Sequence, residues 1–198
     1  MSIGLKGNSD GSGAVQVGGS DAITISTGLN TTFAGTVTSS TGALYPLSSG
    51  TAVASTSGTS IDFTGIPATA KRVTVMFNGV STSGTSNYQI QLGSTTFSTS
   101  GYLGSTSAFG GAATAFSAGI LFCVSPSVGT TIYGTVTLSL ISANIWAAGV
   151  TTARGDAAQP MTGGGNSPNL AGILDRVRIT TVNGTDTFDA GSINILWE

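Results

Sequence analysis

Apolar and polar residues alternate with a period of two along much of this chain. In 71-KRVTVMFNGV-80, Val73, Val75 and Phe77 fall on one side. In 87-NYQIQL-92, Tyr88, Ile90 and Leu92 do the same. In 131-TIYGTVTLSLIS-142, Val136, Leu138 and Leu140 alternate with Thr and Ser. In 174-LDRVRITTV-182, Val177 and Ile179 face one way and Arg176 and Arg178 the other; 192-SINILWE-198 groups Ile193, Ile195 and Trp197. Successive side chains of a strand point to opposite faces. Each pattern therefore predicts a strand with one buried and one solvated face, as in an antiparallel sandwich. No stretch sustains an apolar period of 3.6, so helix signals are nearly absent.

Thr-Ser-Gly at 56–58 and 82–84, Asn78-Gly79 and Asn183-Gly184 are the expected turns between these strands. Strands of this length and spacing predict an all-β fold, a two-sheet antiparallel β-sandwich of about eight strands, jelly-roll-like. The segment 153-ARGDAAQPMTGGGNSPNLAG-172 has no alternation and is rich in Gly, Pro, Asn and Ala. It reads as a long surface loop, and such loops are often functional.

Residues 1–47 differ from the rest. The alternations Ala-Val-Gln-Val at 14–17 and Ala-Ile-Thr-Ile at 22–25 are each cut off after one short strand, by Gly-Gly or Thr-Gly. Pro46 and the Ser-Ser-Gly tract at 48–50 mark a junction. The chain is therefore divided into an N-terminal extended or intertwined β arm (1–47) and a C-terminal sandwich (48–198). The arm residues Val15, Val17, Ile23, Ile25, Phe33 and Val37 are too apolar for a disordered tail. They are also too few to bury one another, since a two-stranded piece is marginal in water. They are expected to contact other copies or a larger surface, as when a segment adds strands to a neighbour.

Composition narrows the function. Only 7% of the 198 residues are charged, against roughly 25% in an ordinary domain. Six Lys and Arg, no basic run and a net charge of −2 argue against nucleic acid as a partner. The single cysteine, Cys123, excludes an internal disulfide; it lies in the apolar run 115-AFSAGILFCV-124 and reads as a small core residue. That run, the most apolar in the chain, is about half the length of a membrane helix. The N-terminal MSIGLKGNSDG carries no apolar signal region. A charge-poor Ser/Thr/Gly surface suited to the outside of a cell then points to a protein made in a host cytoplasm and released by lysis.

Candidate chemistry is sparse. Without histidine, neither Ser-His-Asp nor Cys-His arrangements exist. Asp175, Asp186 and Asp189 are the nearest approach to a carboxylate cluster and read as turn residues. Asn8, Asp10 and Ser12 alternate like calcium ligands but lack the closing Glu of an EF-hand loop. Arg154-Gly155-Asp156 matches an integrin-binding tripeptide, which three residues reach by chance. No catalytic residue, cofactor or metal is expected. The candidate receptor-facing residues are Tyr102 and Phe109 in 101-GYLGSTSAFGGAATAF-116, and Arg154, Asp156 and Asn166 in the predicted loop.

Three stretches carry a family likeness: 57-SGTSIDFTGIPATAKRVTVMFNGVSTSGTSNYQIQLG-93, 170-LAGILDRVRITTVNGTDTFDAGSINILWE-198 and 10-DGSGAVQVGGSDAITIS-26. The first two resemble C-terminal sandwich domains of tailed-bacteriophage virion structural proteins, of the tail fibre-like or head decoration-like kind. The third resembles the repeat-like stems of phage fibres. The resemblance implies a homotrimer with no catalytic residues, located in the virion, and does not itself say in which part; the tail is expected ahead of the head. It makes the expected function a short tail fibre subunit, anchored by residues 1–47 and contacting the host surface, glycan included, through loops near 101–111 and 153–169. The rivals are a head decoration or cement protein, and a free carbohydrate-binding module or hydrolase, the hydrolase opposed by the missing His and sparse acids.

Overall fold

The computed structural model describes residues 3–17, 20–25, 31–33, 38–39, 42–43 and 46–198. Among them every regular element is a β-strand and every strand pair is antiparallel. The chain divides into two units, Met1–Pro46 and Leu47–Glu198.

In the first unit, β1 (Ile3–Gly7), β2 (Gly13–Val17), β3 (Ser20–Ile25) and β4 (Thr31–Phe33) form one sheet in chain order, and β5 (Thr38–Ser39) pairs β6 (Gly42–Ala43). The β1–β2 turn is closed by its own polar side chains. Ser12 donates from N and Oγ to Asp10 Oδ1 at 2.9 and 2.6 Å, and Asn8 Nδ2 donates to Ser12 Oγ at 2.7 Å. The Ser12 bonds hold the Asp10 carboxyl below its ordinary pKa. These residues, whose spacing is that of alternating calcium ligands, close a hairpin turn. The register aligns Leu5, Val15, Ile23 and Phe33 across the four strands, and sets Ile3 opposite Val17. Directly opposed residues share a face, so Leu5, Val15 and Ile23 form one apolar row. Leu5 is 87% exposed. Val37 lies outside the described residues.

The second unit holds β7 (Ser48–Ser49), β8 (Val53–Ala54), β9 (Ser60–Thr64), β10 (Arg72–Thr82), β11 (Tyr88–Ser94), β12 (Thr96–Phe97) and β13 (Leu103–Ala108). It continues with β14 (Thr114–Phe116), β15 (Ile120–Cys123), β16 (Ile132–Ser142), β17 (Ile145–Arg154), β18 (Gln159–Asn166), β19 (Arg176–Thr181) and β20 (Phe188–Trp197). A nine-stranded sheet runs β14-β13-β18-β17-β16-β10-β20-β7, with β8 also on β20. A five-stranded sheet runs β12-β11-β19-β9, with β15 also on β11. The residues predicted to face inward do so. Val73, Val75, Phe77, Val136, Leu138, Ile193 and Ile195 from the large sheet meet Ile90, Leu92, Val177 and Ile179 from the small one in a single core. The arrangement is sandwich-like. Its strand order departs from the expected eight-stranded, jelly-roll-like pattern: β16, β17 and β18 are consecutive neighbours in one sheet. Tight turns after β16 and β17 leave each strand no route but back along its predecessor.

Two sequence expectations fail here, for related reasons. Asn78-Gly79 is not a turn. β10 continues through it as a β-bulge, with Gly79 at φ 65° and the register shifting on both flanking strands. The expected loop 153–172 contains β18, whose Gly163, Gly164 and Gly165 pair with both β17 and β13. A glycine in a strand marks close backbone approach. A Cβ on Gly165 would lie 2.8 Å from the Phe116 ring, and one on Gly163 would lie 2.6 Å from Ser105 O.

Across this small-residue strip the large sheet reaches β15. Thr106 Oγ1 donates to Leu121 O at 2.7 Å and Thr152 Oγ1 donates to Phe122 O at 2.6 Å. Two buried threonines thus satisfy carbonyls of the opposite sheet. Phe122 stacks on Phe77 at 4.2 Å between ring centroids and meets the edge of Tyr88 at 5.8 Å. Cys123 is fully buried, and burial pushes its thiol up to about 12.

Candidate functional site

The register of β11, β19 and β9 sorts their residues into two faces. Inward lie the rows Ile90–Ile179–Ile61 and Leu92–Val177–Phe63. Outward lie Gln89–Thr180–Ser60 and Gln91–Arg178–Asp62, followed by Gly93–Arg176–Thr64. The outer face is therefore built from amides, hydroxyls and two arginines. Its charges balance: Arg178 donates to both oxygens of Asp62, at 2.8 and 2.7 Å, and Arg176 donates to both oxygens of Asp175, at 2.7 and 3.2 Å. These bonds hold the Asp175 carboxyl below its usual range and raise the pKa of both guanidinium groups.

Phe97 extends this face. It stands opposite Gly93 across the β11–β12 hairpin, where a Cβ would lie 3.0 Å from the Phe97 Cα. The Arg178 guanidinium sits 4.2 Å from the centre of the Phe97 ring and that of Arg176 5.7 Å, a cation–π arrangement. The hairpin turns on Thr95 at φ 60°, a conformation costly for a β-branched residue. The Asp175 carboxylate accepts the Thr95 N–H at 3.2 Å and so clamps that turn.

Two hollows open on this side of the unit. One, of about 210 Å³, lies over Gln89, Gln91, Arg178, Thr180, Ser60 and Thr59. The other, of about 150 Å³, is walled by residues 114–118 together with Asn87, Leu121 and Gln89. Gln89 and Val182 border both. The two glutamines point to the face expected to be solvated, yet are only 3% and 6% exposed; residues 114–118 stand beside Gln89 across the second hollow, and Ala118 meets Gln91. Gln91 Nε2 donates to Ala118 O at 3.0 Å. Gln89 Nε2 donates to Thr181 O at 3.3 Å, and its Oε1, fully buried, accepts from no described residue.

The residues singled out from sequence fall elsewhere. Phe109, Arg154 and Asp156 come to one end of the large sheet, where Phe109 N donates to Pro160 O and Gly155 N to Thr131 O. Phe109 is 79% exposed. Arg154, by contrast, is buried and fully engaged. Its guanidinium donates to Asp156 at 2.7 Å, Ser125 O at 2.8 Å and Thr130 Oγ1 at 3.1 Å. The Arg-Gly-Asp tripeptide is closed on itself, and Arg154 is not receptor-facing. Asp156 is tied into the same network, with its carboxyl held below the usual range by Arg154. Asn166 is exposed at the opposite end of the sheet, beside Leu103.

Tyr102, at that same end, is no surface aromatic. It is completely buried, and its hydroxyl accepts Leu92 N–H at 2.6 Å and donates to Ser98 O at 3.1 Å. Burial pushes this phenol up to about 12. Asp175 and Asp186 stand at opposite ends of β19, roughly 20 Å apart at ~3.3 Å per residue, so they form no facing pair. Among the described residues no three His, Cys, Asp or Glu side chains gather to hold a metal.

Gln89, Gln91, Asp62 and Phe97 were not singled out from the sequence. Gln89 and Gln91 are the polar half of an alternation already used to find the core, Asp62 alternates with Ile61 and Phe63 in the same way, and Phe97 carried no local signal. No family model, curated protein or solved structure matches this chain.

Proposed function

We propose that this chain is a structural component of a tailed-phage virion, a short fibre subunit anchored by its N-terminal unit and contacting the host surface with its C-terminal unit. The observation that carries the reading is the sheet β1–β4. Its cross-strand row of Leu5, Val15 and Ile23 leaves Leu5 87% exposed, and the other sheet described in that unit pairs two-residue strands. A single sheet with an apolar face gains stability when something packs on it. A second chain, or the body of a virion, supplies that layer. The C-terminal unit has a complete core of its own and is free to act as a tip. A chain with only 7% charged residues suits burial between subunits, whose interface cores are depleted of charge. In this reading Val15, Val17 and Ile23 lie at contacts between three copies of the chain.

Copy number in purified particles tests the reading, measured by quantitative mass spectrometry against the major capsid protein. A low multiple of the tail's symmetry is expected. A number near that of the capsid protein would move the chain to the head and make it a decoration protein, and its absence from particles would end the virion reading.

A further inference from the structure

We infer that the two hollows on the outer face of the five-stranded sheet form one trough for a neutral saccharide, with Gln89 as its movable partition. The inference rests on the host-contact half of the reading above and names the surface that makes the contact. Of the residues chosen from sequence, Tyr102 and Arg154 are buried and engaged, and Phe109 and Asn166 stand exposed at opposite ends of the large sheet, outside these hollows.

The first argument is the chemistry of the lining. The hydroxyl of Ser60, the amide oxygen of Gln91, whose Nε2 is given to Ala118 O, and the Arg178 guanidinium line one hollow and set donors and acceptors side by side. The ionised groups are paired, Arg178 with Asp62 and Arg176 with Asp175, so the face offers neither an anion nor a cation a free counter-charge. A ligand complementary to such a face is uncharged and carries donors and acceptors on neighbouring atoms. Vicinal hydroxyls of a sugar ring meet that description. An extended peptide meets it less well, because its backbone is matched at a sheet edge rather than across a sheet face. Arg178 is the anchor. Asp62 takes its Nε and Nη2, the Phe97 ring fixes the plane of the guanidinium, and among the described residues Nη1 has no acceptor. Phe97 is thus a positioning residue, held by the hairpin that Asp175 clamps at Thr95.

The second argument is Gln89 itself. Buried polar atoms are ordinarily paired, and an unpaired one calls for an explanation. Gln89 Oε1 is buried without a donor, and only one bond of 3.3 Å, from Nε2, holds the side chain where it is. That side chain borders both hollows. At about 210 and 150 Å³ each is smaller than a typical small-molecule site of roughly 300 Å³ or more. Turning Gln89 outward joins them and presents Oε1 to a ligand hydroxyl. The half-exposed Val182 at the junction gives the C–H face of a sugar an apolar contact.

The test is saturation-transfer NMR on the purified full chain, with a panel of neutral di- to tetrasaccharides of glucose, galactose, mannose and N-acetylglucosamine. At least one is expected to receive transfer at millimolar concentration. Gln89→Leu and Gln91→Ala should each weaken that binding about tenfold or more. Gln89→Leu removes the unpaired oxygen together with the 3.3 Å bond to Thr181 O, opposing effects that should leave the melting temperature close to the parent's. Phe109→Ser should bind as the parent does. No transfer from any panel member, or binding undiminished in Gln89→Leu, would overturn the inference. So would unglycosylated peptides that bind and lose binding in the same variants. Failure on any of these counts leaves the virion reading to the particle copy number, which does not involve the trough.

Discussion

In the N-terminal unit, Leu5, Val15 and Ile23 stand in a cross-strand row, and Leu5 is 87% exposed. In the C-terminal unit, Ile61, Ile179 and Ile90 stand in a row of the same kind, and none exceeds 7% exposure. The alternation that produces both rows is the same. The difference lies in what is available to cover them: a second sheet packs on the row in the C-terminal unit, whereas among the described residues of the N-terminal unit the other sheet is a pair of two-residue strands. Period-two patterning therefore tells which residues share a face, and says nothing about what covers that face.

The largest effect should come from opening the covered core. Phe122→Ala removes the ring stacked on Phe77 and should cost the C-terminal unit about 3–5 kcal/mol in urea denaturation. Val15→Ala should leave the midpoint of that transition unmoved. Equal losses would break the comparison, because the units would then share one core.

Glycine draws the same contrast on a smaller scale. Gly165→Ala drives a Cβ into the Phe116 ring and the neighbouring strand, and should destabilise by about 1–3 kcal/mol. Gly4→Ala meets nothing within 4 Å and should cost nothing measurable. Matching losses at both sites would mean that the N-terminal sheet is packed as closely as the sandwich.

Next come the inter-sheet hydroxyls. Thr106→Val and Thr152→Val each leave a buried carbonyl, of Leu121 or Phe122, without its donor, at about 1–3 kcal/mol apiece. Neutral outcomes would show that the sheets are held by apolar contact alone.

The smallest effect concerns charge. Asp156 and Asp175 are held below their ordinary value of 3.8 by Arg154 and Arg176. Carboxyls depressed in the folded state stabilise it above their unfolded pKa. That contribution is lost as pH falls below about 4 and through the folded values. Since both groups are partly exposed, the loss should be modest and should shrink further in high salt. An acid transition removed by Asp156→Asn alone would assign it to one pair.

The C-terminal core was legible where its strands alternate, as in β10 and β19, whose Val73, Val75 and Phe77, or Val177 and Ile179, sit where that pattern puts them. Glycine misled the reading twice. At Gly79 it forms a bulge inside β10, and at Gly163–Gly165 it lets β18 lie close beneath Phe116; both depend on a neighbouring strand that local sequence does not name. Tyr102 misled it a third time, because its Gly-rich surroundings resemble a loop while its hydroxyl is spent on Leu92 and Ser98. Arg178 was seen as the solvated half of its strand, as were Gln89 and Gln91 by implication. Their convergence needed the pairing of β11 with β19 and the approach of residues 114–118, which bring together positions some ninety residues apart.

The proposed assembly requires another chain over the apolar row of the N-terminal unit. Light scattering on the purified full chain, beside a Leu5→Asp/Val15→Asp variant, tests it most directly. For the parent a particle of three 19.5-kDa chains is expected, and for the variant dissociation with the C-terminal urea transition unchanged. A parent that runs as a single 19.5-kDa chain, or a variant that stays assembled, would contradict it.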